Sequence, residues 1–295
     1  MKAIILAGGV GSRISREVNK PKSLLDIGDG MPLLRYTVEM LQKKGIEVSI
    51  VLGYKKEMFY EVLAGLDVNF YFNPFYRVTN SIASLWFAKE AIKEDDDYIF
   101  MNADVYLEPE ILDKMLECPE TISMLADYRK ILEGDYFFHC DETGLVRKYG
   151  KEIPVEERTC EYVGAAKIGR EYVDEFKRVM EEMVATEQYT TWWETILYSR
   201  CYDIDIHTID AAPHFWSEID YIEDYEKISL PKGKYLTLNF DDDYKDTRKY
   251  YDIIKNYIEE NDINVLGDFY EIYTITRVSS DGMERSLGKI QILIK

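Results

Sequence analysis

Over residues 2–104, apolar β-type runs alternate with segments whose apolar residues recur at helical spacing. That alternation constrains the fold more than any other feature of this 295-residue chain. The runs are AIILA, EVSIVLGY (47–54), VNFYFN (68–73) and DYIFMNAD (97–104). Between them lie PLLRYTVEMLQK, stopped by Gly45, then KKEMFYEVLAG (55–65) and SIASLWFAKEAI (81–92). Strand and helix follow each other at roughly 20–25 residues per unit, the pattern of a mostly parallel sheet with helices on both faces. From about residue 120 to 169 the pattern changes. ISMLADY, YFFHCD, GLVRKYG and EYVGAAKIG are short β-type runs joined by turns such as Asp141-Glu142-Thr143-Gly144, which suggests antiparallel strands added to the parallel core. Helices are expected at roughly 170–186 and 190–200, then a strand, CYDIDIHTI, and a last helix through YIEDYEKIS.

Pro231-Lys232-Gly233-Lys234 reads as a linker. It divides a domain at 1–230 from a small α+β module at 231–295. That module runs strand YLTLNF, helix TRKYYDIIKNYIEEN, strand FYEIYTITRV, a turn at Ser279-Ser280-Asp281-Gly282 and strand KIQILIK. The formal net charge of −19 argues against nucleic acid and anionic membranes as partners. No apolar stretch approaches the ~20 residues of a membrane helix. Cys118, Cys140, Cys160 and Cys201 form no C-x-x-C, and only His139, His207 and His214 offer imidazoles, so a zinc site and a disulfide framework are disfavoured. A reduced, cytoplasmic setting is the default.

A chain this acidic must gather basic groups locally to handle phosphates. The first strand leads into Gly8, Gly9 and Gly11, followed by Arg13 and then Lys20-Pro21-Lys22. Glycines let the backbone pass close to an anion. The loop is not a Walker loop, G-x-x-x-x-G-K-[ST], nor the dinucleotide G-x-G-x-x-G. The whole string, LAGGVGSR followed by KPK, resembles the nucleotidyltransferase superfamily of the sugar-phosphate type. The resemblance implies a Rossmann-like mixed sheet and transfer of a nucleotide from an NTP to a phosphorylated acceptor, with release of pyrophosphate. It assigns nucleotide contacts to Leu6, Ala7, Gly8, Gly9, Gly11 and Ser12, and catalytic charge to Arg13 and Lys22.

Asn102 and Asp104 end the strand IFMNAD, where ligands sit in open α/β sheets. The alternative is a helix cap before Pro109. Asp220, in Glu218-Ile219-Asp220, makes a D-x-x-E capping pattern with Glu223. The resemblance instead gives Asp104 and Asp220 a shared Mg²⁺. Asn80, Ser81 and Ser84 open a helix and are first of all caps. In pyrimidine-specific members the matching segment lies beside the base.

CEYVGAAKIG (160–169), YTTWWETIL (189–197) and WSEIDYIEDY (216–225) look like bacterial phosphocholine cytidylyltransferases, over about residues 1–228. Tyr189, Trp192, Trp193 and Trp216, with Glu194 and Asp127, are candidates for an acceptor pocket, since aromatic faces attract ammonium ions. The competing reading is that the tryptophans are core. The expectation is a Mg²⁺-dependent cytidylyltransferase in which an acceptor phosphate or phosphonate attacks the α-phosphorus of CTP in line. A sugar-1-phosphate uridylyl- or thymidylyltransferase is the alternative, although Ile14–Asn19 lacks the Leu/Pro/Thr-rich stretch usual there. A sensor with a catalytically silent fold is the third reading. Residues 231–295 resemble half of a gyrase-inhibitor-like effector-binding domain, and a homodimer would restore the pair.

Overall fold

A computed structural model describes residues 1–10, 20–28, 30–132, 134–229, 233–242, 247–278 and 284–295. It divides into two compact units, Met1–Ser229 and Leu230–Lys295. The first unit opens with β1 (Lys2–Ala7), α1 (Leu33–Lys43), β2 (Glu47–Leu52), α2 (Lys56–Val62), β3 (Val68–Phe72), α3 (Ser81–Phe87) and β4 (Tyr98–Asn102). It continues through β5 (Val105–Leu107), α4 (Pro109–Glu117), β6 (Ile122–Asp127), β7 (Phe137–Cys140), β8 (Val146–Gly150) and β9 (Cys160–Ile168). It closes with α5 (Arg170–Ala185), α6 (Thr195–Tyr198), β10 (His207–Asp210), β11 (Trp216–Glu218) and α7 (Ile222–Ser229).

The main sheet runs β10-β6-β9-β4-β1-β2-β3, with the β7–β8 hairpin attached through β9. β1, β2, β3 and β4 are mutually parallel, while β9 is antiparallel to both of its neighbours, β4 and β6. β1 lies between β4 and β2 and is covered on both faces, which is why it reads as an unbroken apolar run. Its alternate residues serve different cores. Ile4 and Leu6 join Phe100, Phe176 and Trp193 on one face, whereas Ala3, Ile5 and Ala7 join Val38, Phe59 and Ile111 on the other. The mixed, mostly parallel sheet read from the alternation is the one found.

Several elements depart from the sequence pattern. The helix expected over 81–92 is α3 followed by a 3₁₀ turn at Lys89–Ala91. The helix expected over 190–200 is one turn, α6, and the following strand shrinks to β10. Residues 189–193 instead bond to the start of α3: the Asn80 N–H donates to the Tyr189 carbonyl and the Ile82 N–H to that of Thr191. β5 and β11, three residues each, pair antiparallel as a separate ribbon.

The second unit is β12 (Lys234–Asp242), α8 (Arg248–Glu260), β13 (Val265–Val278) and β14 (Glu284–Ile294). Its sheet is antiparallel, ordered β12-β14-β13. Phe240, Ile254 and Ile290 form its core, and Tyr250 stacks on Phe240 at 4.5 Å. Among the described residues no helix is long and apolar enough to cross a membrane.

Candidate active site

The carboxyl ends of β1 and β4 lie side by side, with Leu6 in register with Asn102. Gly8 and Gly9 leave β1 there, and Asp104 follows β4. At the end of β2 the chain passes so close that a Cβ on Gly53 would sit 2.4 Å from the Gly8 carbonyl oxygen. That oxygen accepts the Tyr54 N–H at 3.3 Å. The glycine at 53, just past β2, thus permits the close approach that shapes the turn. A cavity of about 230 Å³ opens beyond it, lined by Leu6, Ala7, Gly8, Gly9, Lys22, Asn80, Ser81, Ser84, Asn102, Asp104, Trp192, Glu194 and Glu218 among others. Gly11, Ser12 and Arg13 lie outside the described residues.

Lys22 starts a 3₁₀ turn whose next residues, Ser23 and Leu24, are buried. Its ammonium bonds the Asp220 carboxylate and lies 3.7 Å from Asp104 Oδ2. Burial opposes the charge on Lys22, and Asp104 and Asp220 outweigh it, holding the ammonium above its ordinary value. The two acids come together through the β5–β11 ribbon. Val105 pairs with Glu218, and the Ile219 N–H donates to the Asp104 carbonyl at 2.9 Å. Ile219 is itself fully buried against Leu25 and Leu33. An extended chain sends residues i and i+2 to the same side, so anchoring Ile219 delivers Glu218 and Asp220 together. Carboxylate oxygens of Asp104, Glu218 and Asp220 lie within 4.8 Å of one another. Burial first, and then the neighbouring acids, push the Asp104 and Glu218 carboxyls up, with Lys22 opposing. Glu218 belongs to this group although only Asp220 was singled out from the sequence; the alternation in E-x-D was the available signal.

Asn80 caps α3, its Oδ1 accepting the Ser81 N–H at 2.8 Å. Ser81 Oγ accepts the Trp193 N–H, and Ser84 Oγ accepts from Asn73 Nδ2 at 3.0 Å. The capping role and the place in the cavity wall therefore coexist. Asn73, fully buried, braces the wall and carried no signal in the sequence.

A second cavity, about 440 Å³, adjoins this group and is lined by Tyr136, Tyr162, Trp192 and Tyr198, with Glu194, Glu218, Lys22 and Asp220. Its aromatic wall differs from the expected one. Trp192 is 43% exposed and meets Tyr136 edge-on. Trp193, by contrast, is wholly buried against Phe100, its Nε1–H donating to Asn102 Oδ1 at 3.0 Å, so it is core rather than pocket wall. Asp127 is likewise sealed from solvent, accepting from Trp216 Nε1 at 2.7 Å and from Arg129. Trp216 faces neither of the two cavities described so far, and the Lys130 ammonium covers its ring at 3.7 Å. It lines a third, larger cavity of about 830 Å³ that shares Glu218 and Asp220. Tyr189 lines none of the three. Tyr136, Tyr162 and Tyr198 take the places expected of Tyr189, Trp193 and Trp216. They come from separate segments that only the fold brings together.

Glu194 is almost fully buried and accepts from Asn102 Nδ2 at 3.1 Å; burial pushes its carboxyl up to about 7. Gly164 explains how β9 presents Tyr162. It has φ +87° at an irregularity where β9 inserts extra residues against β6. A Cβ there would meet Val105 Cγ2 at 2.8 Å. Bulges of this kind re-aim side chains beside sites.

Residues 3–129 match the family described as a MobA-like NTP transferase domain. Over that stretch the chain is similar to nucleotidyltransferases. It is 26% identical to the choline-phosphate cytidylyltransferase of Streptococcus pneumoniae, over 77% of this chain and 96% of that protein. It is 24% identical to the CTP:phosphoglutamine cytidylyltransferase of Campylobacter jejuni, over 77% of this chain and 98% of the relative. The solved CTP:phosphocholine cytidylyltransferase of S. pneumoniae shares the fold, with a TM-score of 0.63 at 22% identity, covering 77% of this chain and 97% of that one. The site described above lies wholly within the first unit.

Proposed function

We propose that this nucleotidyltransferase transfers CMP from CTP to a small phosphorylated amino alcohol or phosphonate and releases pyrophosphate. The observation that carries the reading is the meeting of a glycine turn, Lys22 and three carboxylates at the carboxyl ends of β1 and β4. CTP is favoured by the two cytidylyltransferase relatives and by Asn80, Ser81 and Ser84 in the cavity wall, where amide and hydroxyl groups suit a pyrimidine edge.

Asp104, Glu218 and Asp220 offer close-set hard oxygen donors, which fit Mg²⁺. Bound there, the ion supplies charge neutralisation at the α-phosphate. The chain's own residues do the rest. The Gly8–Gly9 turn lets the triphosphate approach the backbone. Lys22, held by the acids, stabilises charge on the phosphates, and Arg13 is assigned the same role by the LAGGVGSR string. A phosphate monoester or phosphonate is largely anionic near neutral pH, so no general base is required, and catalysis is positioning plus electrostatics.

The acceptor's cationic end is placed in the second cavity. Three tyrosines and Trp192 supply aromatic faces there, beside the buried Glu194. The Trp192 face already draws a cation, with the Lys151 ammonium 5.5 Å from its ring centre.

The test is pyrophosphate release with CTP, UTP, dTTP and ATP crossed with phosphocholine, phosphoethanolamine, 2-aminoethylphosphonate, glycerol phosphate and hexose 1-phosphates. CTP with a cationic acceptor is expected to turn over fastest. Lys22→Ala and Asp104→Ala should each lower kcat by about 10³-fold or more, with the circular dichroism spectrum retained. Near-normal release from either variant would sink the site assignment.

A further inference from the structure

The three acids of the site already hold a cation of the chain's own. The Lys22 ammonium bonds the Asp220 carboxylate and lies 3.7 Å from Asp104 Oδ2, in a cluster where one oxygen of each acid lies within 4.8 Å of the others. The Lys22 side chain is 10% exposed and that of Asp220 16%, so water screens the pair little. The core beneath fixes both partners. Lys22 opens a 3₁₀ turn whose Ser23 and Leu24 are buried, and Leu25, the next residue, packs with Ile219, the residue before Asp220. Packing thus sets the lysine against the acid.

A divalent ion ligated by Asp104 and Asp220 has to lie within a few ångströms of that ammonium. Two cations so close repel strongly where water is scarce. Either the ammonium leaves the acids or the metal stays out. A buried ammonium that loses its carboxylate is costly unless another anion takes it. The triphosphate is such an anion, and Lys22 is placed to meet it: the residue lines the first cavity beside Gly8 and Gly9 as well as the second. Exchange of carboxylate for phosphate oxygens leaves the lysine paired throughout.

We infer that Lys22 is the resident counter-ion of Asp104 and Asp220 and keeps the metal site of the free protein closed, so that a divalent ion is bound tightly only once a nucleotide's phosphates have taken the lysine in exchange. This rests on the reading of the three acids as the Mg²⁺ site of a cytidylyltransferase.

Mn²⁺ suits the same oxygen ligands as Mg²⁺ and is read by electron paramagnetic resonance. It is titrated, without nucleotide, into the full chain, into Lys22→Met and Lys22→Gln, and into the double variant Lys22→Met with Asp220→Asn. The unaltered chain should bind weakly. Lys22→Met and Lys22→Gln should each bind about tenfold tighter or more, and Asp220→Asn should remove the gain. Equal affinity in the unaltered chain and Lys22→Met would overturn the inference, and so would a gain that survives Asp220→Asn. Mg²⁺-dependent pyrophosphate release alongside either result would leave the cytidylyltransferase reading standing. Release that needs no divalent ion would overturn the metal site and the inference with it. Where the variants fail to fold, thermal melts of the unaltered chain decide. Its melting temperature should rise with CTP and Mg²⁺ together and stay unchanged with Mg²⁺ alone at millimolar concentration. A rise with Mg²⁺ alone would overturn the inference.

Discussion

Burial pushes the Glu194 carboxyl up to about 7, and the Asn102 amide only partly opposes it. The sign follows from linkage. Unfolded, a glutamate titrates near 4.3, so between there and about 7 the folded chain holds the extra proton. Stability contributed by this residue therefore falls as pH rises through that window. Glu194→Gln should gain in melting temperature relative to the unaltered protein between pH 5 and pH 8. Binding has the opposite sign, because only the carboxylate attracts an ammonium. KM for phosphoethanolamine should fall as pH rises through about 7, whereas Glu194→Gln should lose that part of the dependence. Parallel thermal melts and steady-state kinetics over the range check both. Glu194 was legible from the sequence as an acid beside two tryptophans. What those tryptophans do was not. Trp192 and Trp193 are adjacent in the chain, yet one lines two cavities and the other is core. Backbone bonds to the start of α3 decide this, and helical spacing cannot report such long-range pairing.

At the scale of elements, the turn after β1 depends on its neighbour as much as on its own glycines. Gly53→Ala places a methyl against the Gly8 carbonyl, where only backbone could yield. The expected cost is about 1–3 kcal/mol of stability together with a raised KM for CTP and an unchanged KM for the acceptor. Urea unfolding and kinetics measure the two. The glycine run after β1 was read from the sequence as phosphate-binding; the role of Gly53, more than forty positions on, is visible only once β1 and β2 are paired. The long alternating elements were legible because each has its own period. β5 and β11 were not, since three residues carry no period, yet they set Glu218 and Asp220 beside Asp104.

For the whole molecule, the three core clusters of the first unit draw on residues of that unit alone, and the fourth draws only on the second. Every described residue of the two cavities assigned to nucleotide and acceptor belongs to the first. Residues 1–229 expressed alone should thus melt cooperatively and keep pyrophosphate release within about twofold of the full chain, since the described cores and both cavities are built from that unit's own residues. Loss of activity on truncation would show that the second unit contributes to the reaction. The described structure divides at Ser229–Leu230, next to Pro231-Lys232-Gly233-Lys234, whose composition interrupts both periodicities.

The position of β9 bears on how the chain is made. β6 has β9 and β10 as its neighbours, and both are encoded after it. As the polypeptide leaves the ribosome, β1 to β4 can assemble in the order of their synthesis. β6 must wait, its edges unpaired, until residue 168 has emerged to bridge it to β4. The same late strand carries Tyr162 and the Gly164 bulge. Closure of the sheet therefore delivers one wall of the second cavity, and the remaining walls, from Trp192 to Asp220, follow it out of the ribosome. A chain stalled short of β9 would have the glycine turn after β1 but neither the bridge to β6 nor the Tyr162 wall of that cavity.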